Sequence, residues 1–277
     1  MALSLEIARK NFDAVLFDLD GVLTATAKLH AAAWKQTFDA FLRGRTAMGK
    51  TFIPFDIEND YRKYIDGKPR FDGVRSFLVS RKIDLPFGDP TDPSTTDTIC
   101  GLGNQKNDLV NEIMTREGVV PYPGSVKAVN YLKEQGYKTA VVSSSENCAA
   151  VLKAASISSL FDVRVDGKTA TDLALPGKPA PDMFLEAAKL LGVEASRSIV
   201  VEDAIAGVQA GKRGNFGLVI GIARTGNADA LKNEGASLVV TDLEDCFPHA
   251  SEGPISCCNA RSRHFQVSSI RTTHFVW

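Results

Sequence analysis

The sequence predicts an α/β protein, a doubly wound parallel sheet (Rossmann-like core) with an inserted helical cap domain. Two observations carry that expectation. Short β-rich runs recur, DAVLFDL (13–19), YKTAVVS (137–143), SIVVED (198–203), FGLVIGI (216–222) and ASLVV (236–240), and a helical pattern follows each. They are apolar on both faces instead of alternating, as a parallel strand covered by helices on both sides requires. Strand, helix, strand repeated in this way builds a doubly wound sheet. The interval 27–118, between the first run and the second, is far too long for an ordinary crossover. A helical insertion hung over the carboxyl ends of the strands accounts for it.

In chain order, the expected units are core (1–26, the first strand), cap (27–118), core again (119–246) and a tail (247–277). Inside the cap, helical periodicity covers 29–42, 56–65, 73–81 and 104–117, and PFGDPTDPSTTDT (86–98) reads as a polar, proline-rich loop. PYPG (121–124) marks the return to the core, with a helix over 125–135 behind it. The tail holds three of the four histidines and neither lysine nor aspartate. With no sustained helix period it is expected to be disordered or weakly docked. His249, His264 and His274 with Cys257 and Cys258 match no standard zinc spacing, so no chemistry is assigned there.

Composition excludes several classes. A chain of 277 residues with 44% hydrophobic content can bury one good core and a smaller second one. A formal net charge of −1 gives no global basic field and argues against a nucleic-acid partner. Five irregularly spaced cysteines form neither a disulfide framework nor a metal knuckle, which fits a reducing, cytoplasmic setting. Glu6, Arg9 and Lys10 interrupt the apolar run that a signal peptide needs, and no stretch approaches ~18 apolar residues, so neither secretion nor a membrane partner is expected.

In doubly wound sheets, polar residues at the carboxyl ends of strands gather in one crevice. Asp18 and Asp20, at i and i+2 on the first strand end, point to one side, where their repulsion calls for a cation. Carboxylate oxygens favour magnesium, a small ion that keeps part of its hydration shell and pairs with substrate phosphate. Three further strand ends complete a phosphoryl-transfer set. Ser143, with amide groups at a helix start, can hold phosphate oxygens. GKPAPD (177–182) presents Lys178 as a cation held between glycine and proline. SIVV ends in a second acidic pair, Glu202 and Asp203.

In that order, Asp18-x-Asp20-Gly21-Val22-x-Thr24, Ser143, Lys178 in GKPxPD and Glu202-Asp203 in VEDAxAGVxA resemble the four motifs of the haloacid dehalogenase superfamily. The resemblance implies that Asp18 is the nucleophile, that Asp20 is the general acid and base, and that Ser143 and Lys178 bind the transferring phosphate. It implies that Asp18, the main-chain carbonyl of Asp20 and Asp203 hold magnesium, with Glu202 assisting. Details of the cap resemble the beta-phosphoglucomutase subfamily. Thr26 stands at the hinge, and His30 and Trp34, four apart on the first cap helix, share one face. His30 then couples cap closure to Asp20, Arg70 in DGKPRFDGV meets the phosphate that is not transferred, Lys106 and Asn107 in GNQKND face the sugar, and Ser145 and Asn147 in SSSEN stand at distal-phosphate positions. Glu146 departs from the subfamily's usual Lys or Arg. The implied function is a magnesium-dependent phosphomutase acting on beta-glucose 1-phosphate through an aspartyl phosphate, with a phosphatase for a small phosphorylated metabolite as the alternative. The expected partner is a small sugar phosphate, and the expected state a monomer.

Overall fold

The computed structural model describes residues 10–48, 51–224 and 226–246; the tail beyond Cys246 lies outside the described residues. Six strands, β1 (Ala14–Phe17), β2 (Lys138–Val142), β3 (Val163–Val165), β4 (Ser198–Glu202), β5 (Leu218–Ile222) and β6 (Leu238–Val240), form one sheet in the order β3-β2-β1-β4-β5-β6. All five pairings are parallel. The order reverses at β1, which puts the topological switch point at the ends of β1 and β4. Five strands match the apolar runs. The sixth, β3, has only three residues and pairs on one side with β2 alone, its exposed Arg164 interrupting the apolar pattern.

Alternate residues of β1 feed two different cores. Val15 and Phe17 join Val141, Ile199, Val201 and Ile220 on one face, whereas Ala14 and Leu16 join Ala140, Val142, Met183, Phe184 and Val200 on the other. Because both faces are covered, the strands read as continuous apolar runs. Among the described residues no helix is long and apolar enough to cross a membrane.

The segment 27–118 after β1 holds α1 (Ala27–Gly44), a π-type helix (Ile57–Ile65), α2 (Arg70–Ser80) and α3 (Ile99–Glu117). The π-type winding shows in the bonds from Tyr61 N–H to Asp56 O and from Asp66 N–H to Tyr61 O. These helices build their own apolar cluster from Trp34, Phe38, Phe55, Ile65, Val74, Phe77, Leu78, Ile99 and Leu102. Phe38 is its hub, fully buried and with its ring 5.1 Å from Trp34, 5.1 Å from Phe55 and 4.2 Å from Phe77. Asp39 accepts the Phe55 amide, and Lys35 donates to Phe55 O, so the chain after α1 is pinned back onto that helix. The loop 86–98 folds onto the start of α3. Thr98 accepts the Gly101 amide as an N-cap and donates to Asp92, and Asn104 donates to Pro90 O and Asp92 O.

Replacing Phe38 by Ala removes the ring that three other aromatics contact, and is expected to lower stability by about 3–5 kcal/mol. Urea unfolding followed by circular dichroism reads this directly.

Candidate active site

The register of three neighbouring strands assembles the centre of the site. Phe17 of β1 is level with Val141 of β2 and Val201 of β4. The next residues along, Asp18, Val142 and Glu202, therefore end side by side. Lys178 reaches all three: its Nζ donates to Asp18 Oδ1 at 2.6 Å, Glu202 Oε1 at 2.6 Å and Val142 O at 3.0 Å. The sequence suggests a cation presented to phosphate, but here all three ammonium protons are engaged and the lysine is only 1% exposed. Burial lowers the affinity of Lys178 for its proton, yet Asp18 and Glu202 outweigh it and hold the group charged. Glu202 Oε2 accepts the amides of Asp203 and Ala204, so both its oxygens are committed. Gly207 makes room for this carboxylate, since a Cβ there would lie 1.7 Å from Glu202 Oε1.

Asp203 lies close to Asp18. Ligand oxygens of Asp18, Glu202 and Asp203 fall within 4.8 Å of one another, the one such metal-compatible group among the described residues. Gly21, at φ +88°, lets the loop after β1 approach this group, because a Cβ there would meet Asp203 Oδ2 at 1.8 Å. Burial raises the Asp18 carboxyl well above its ordinary value, against the lowering by Lys178, with Glu202 and Asp20 adding to the rise. Burial also raises Asp203, followed by the negative charges of Asp66, Asp18, Glu202 and Asp20. An all-oxygen donor set carrying more negative charge than Lys178 neutralises fits a hard divalent cation of the magnesium class.

The carboxyl group of Asp20 turns away from this cluster. It accepts a bond from Thr26 Oγ1, which also bonds to Thr24 Oγ1 at 2.8 Å, and it lies 3.6 Å from His30 Nε2. Lys106 Nζ donates to His30 Nδ1 at 2.8 Å and sits over the Trp34 ring. An acceptor Nδ1 makes the imidazole the Nε2–H tautomer, so its N–H faces Asp20. Burial, then Lys106, lowers His30 to about 4. Burial lowers Lys106 to about 7 in spite of Asp20. The shared face expected for His30 and Trp34 thus brings the helical insertion up to Asp20, with His30 Nε2 buried and without a hydrogen-bond partner among the described residues.

A cavity of about 410 Å³ lies between sheet and helices, lined by Asp18, Asp20, Asp203, His30, Trp34, Arg70, Lys106, Asn107, Ser143 and Ser145. Ser143 is buried and accepts the Ser145 amide. The following helix starts at Cys148, later than the sequence suggests, which leaves 143–147 as a loop. That loop is bonded to the insertion: Ser144 Oγ donates to Gly67 O, Asn147 Nδ2 to Asn107 Oδ1, and Glu146 pairs with Arg70 at 3.1 Å. Two cavity residues escaped sequence reasoning. Tyr61 hydrogen-bonds to Asp66, and burial followed by Glu202 raises Asp66 to about 7. A polar residue every few positions on a helix is ordinary, and only tertiary packing shows that these two turn inward.

A doubly wound sheet whose switch point gathers two acidic pairs and a lysine beneath a helical insertion defines the haloacid dehalogenase class of phosphoryl-transfer enzymes. The chain belongs to that family: the model described as haloacid dehalogenase-like hydrolase matches residues 12–215. It is 49% identical over 236 residues to the beta-phosphoglucomutase of Mycobacterium bovis, covering 84% of this chain and 90% of that protein. It is 31% identical over 235 residues to the beta-phosphoglucomutase of Bacillus subtilis, covering 84% and 90%. The crystal structure of the Clostridium difficile beta-phosphoglucomutase superimposes with a TM-score of 0.65 at 27% identity, covering 84% of this chain and 92% of that one.

Lys178→Met leaves Asp18 and Glu202 buried without their counter-charge and is expected to cost about 3–5 kcal/mol at neutral pH. The loss shrinks in acid, where protonation relieves the carboxylates, and urea titrations across pH measure both. For Lys106, the folded pKa of about 7 lies below the ordinary 10.5. Between those values the unfolded chain binds more protons, so stability rises with pH. Wild type should therefore gain stability relative to Lys106→Met from about pH 7 to 10.5, as measured by unfolding at several pH values.

Proposed function

We propose that the chain is a magnesium-dependent phosphomutase interconverting beta-D-glucose 1-phosphate and glucose 6-phosphate through an aspartyl phosphate on Asp18. The carrying observation is the 49% identity to a beta-phosphoglucomutase over 84% of the chain. The cavity supports it by combining Asp18 with an arginine from the helical insertion, which suits a substrate with two anionic ends.

In this reading Asp18 attacks phosphorus and the phosphoryl–oxygen bond to the sugar breaks, while Asp20 protonates the leaving oxygen. Thr26 orients Asp20 for that transfer through its hydrogen bond, and the imidazole of His30 lies beside the same carboxyl group. His30 stays neutral at physiological pH, so it holds the carboxyl group without claiming its proton. In the second half-reaction Asp20 takes the proton from the other sugar hydroxyl as that oxygen attacks the aspartyl phosphate. Ser143 and the amides of its loop hold phosphate oxygens, and Lys178 keeps Asp18 oriented. Magnesium, held by Asp18, Asp203 and the Asp20 carbonyl, neutralises phosphoryl charge when bound. The carboxyl of Glu202 fixes Lys178 and the Asp203 amide and acts on the ion through them. The 27–118 insertion acts as the cap that excludes water from the aspartyl phosphate. The enzyme is taken to work as a cytoplasmic monomer.

A phosphatase for a small sugar phosphate is the second reading. The Glu146–Arg70 pair favours it, because that pair occupies a cation suited to a second phosphate.

Purified protein supplied with beta-glucose 1-phosphate, magnesium and a trace of glucose 1,6-bisphosphate is expected to form glucose 6-phosphate with little free phosphate. Rapid phosphate release with little glucose 6-phosphate rejects the mutase and supports the phosphatase. Asp18→Asn should lower turnover by about a thousandfold or more with the fold intact by circular dichroism, and chelation of the metal should stop turnover reversibly.

A further inference from the structure

Glu146 is the one acidic residue in the loop that stitches the sheet to the helical insertion. On either side of it, Ser144 and Asn147 bond to Gly67 and Asn107 of the insertion. Glu146 makes the third link, to Nη2 of Arg70 at 3.1 Å. The arginine is 18% exposed and the glutamate 40%. The guanidinium also packs over the Phe71 ring at 4.7 Å, and its Nε is buried without a hydrogen-bond partner among the described residues. Phe71 and Glu146 thus hold the arginine in place while part of its donor set stays unused. A buried N–H lacking an acceptor is a costly arrangement that an incoming oxygen relieves. Arg70 and Glu146 both line the cavity that contains Asp18.

We propose that Glu146 is a specificity-determining residue that competes with the non-transferred phosphate for Arg70. The inference rests on the sugar-phosphate reading above, in which Arg70 meets that phosphate. In the unliganded protein the carboxylate takes the phosphate's place on the guanidinium and keeps the seam shut. When a sugar bisphosphate enters, its second phosphate binds the unused donors of Arg70 beside a like charge, or displaces Glu146 into solvent. Either event weakens the grip on that end of the ligand. A mutase must let the bisphosphate exchange its two ends between half-reactions, and a weakened distal hold speeds that exchange at the expense of affinity. The same residue disfavours any ligand whose far end is anionic and tolerates one whose far end is neutral.

Glu146→Gln keeps the side-chain shape and removes the charge. Calorimetry with magnesium, in an Asp18→Asn background that stops turnover, is expected to show glucose 1,6-bisphosphate binding about tenfold or more tighter in the glutamine variant. Inorganic phosphate, which has no distal end, should bind equally to both. Adding Arg70→Ala should erase the difference between protein carrying Glu146 and protein carrying Glu146→Gln, a result that loosened packing alone does not produce. In the turnover assay with Asp18 intact, Glu146→Gln should lower KM and kcat together. Unchanged or weaker bisphosphate binding in the variant, or a difference that persists without Arg70, overturns the proposal. If both forms bind inorganic phosphate and neither binds the bisphosphate, the sugar-phosphate reading falls as well, a distinct outcome from failure of Glu146 alone.

Discussion

One buried ammonium group holds the active centre together. Lys178 bonds to Asp18, Glu202 and Val142, which end three adjacent strands at the same level. Parallel register alone would set Asp18 and Glu202 side by side with nothing between them, an arrangement of like charges that a low-dielectric interior strongly disfavours. The lysine turns that repulsion into two short ion pairs. It comes from a loop distant in sequence, between α4 (Gly167–Asp172) and α5 (Asp182–Leu191), in which the Lys178–Pro179 bond is cis. Met183 and Phe184, at the start of α5, are buried in the core beneath it, and the Nζ lies over the Phe184 ring. The site is therefore continuous with the apolar packing of one sheet face.

The same geometry explains what the sequence made legible. Asp18, Asp20, Ser143, Glu202 and Asp203 could be recognised because each stands at or just beyond an apolar run, where a parallel sheet leaves its functional groups. Lys178 was visible as a charge framed by glycine and proline, but its engagement was not, since three hydrogen bonds from three strands have no local signature. β3 escaped for the opposite reason: VRV is too short and too polar at Arg164 to register as a strand without β2 beside it. The inward turn of Tyr61 and Asp66 belongs to a π-type helix, whose wider winding departs from the 3.6-residue period that sequence patterns test. The pairing of Glu146 with Arg70 joins residues 76 positions apart and depends on how the insertion folds back.

The insertion reaches the carboxyl group of Asp20 through α1. Thr26, just before that helix, bonds to Asp20, and His30, one turn in, lies beside the same carboxyl group. Both contacts depend on the angle at which α1 leaves the loop after β1. That angle is set in part by the aromatic cluster around Phe38, which buries the next two turns of the same helix face, at Trp34 and Phe38. Packing within the insertion is thus joined to the carboxyl group of Asp20 along a single helix. A shift of that helix that preserved every residue of the strand ends would still separate Asp20 from both of its partners.

Charge balance joins these parts. The cavity brings Asp18, Asp20, Asp66, Asp203 and Glu146 to one space, with Glu202 directly behind it. Lys178 is consumed by two of these carboxylates and Arg70 by a third, while Lys68, also at the cavity, donates to Ser76 Oγ at 3.0 Å. Lys106 has been pushed to a pKa of about 7 by burial, so at neutral pH it supplies only part of a charge. The interior is accordingly short of positive charge at the end where Asp18 and Asp203 face each other. A phosphate entering such a space alone would meet repulsion from every carboxylate not already paired. Entering with a divalent cation, it would meet two carboxylates, Asp18 and Asp203, whose mutual repulsion the ion would relieve. An excess of acidic groups of this kind would disfavour a free anion and favour one that enters paired with a divalent cation.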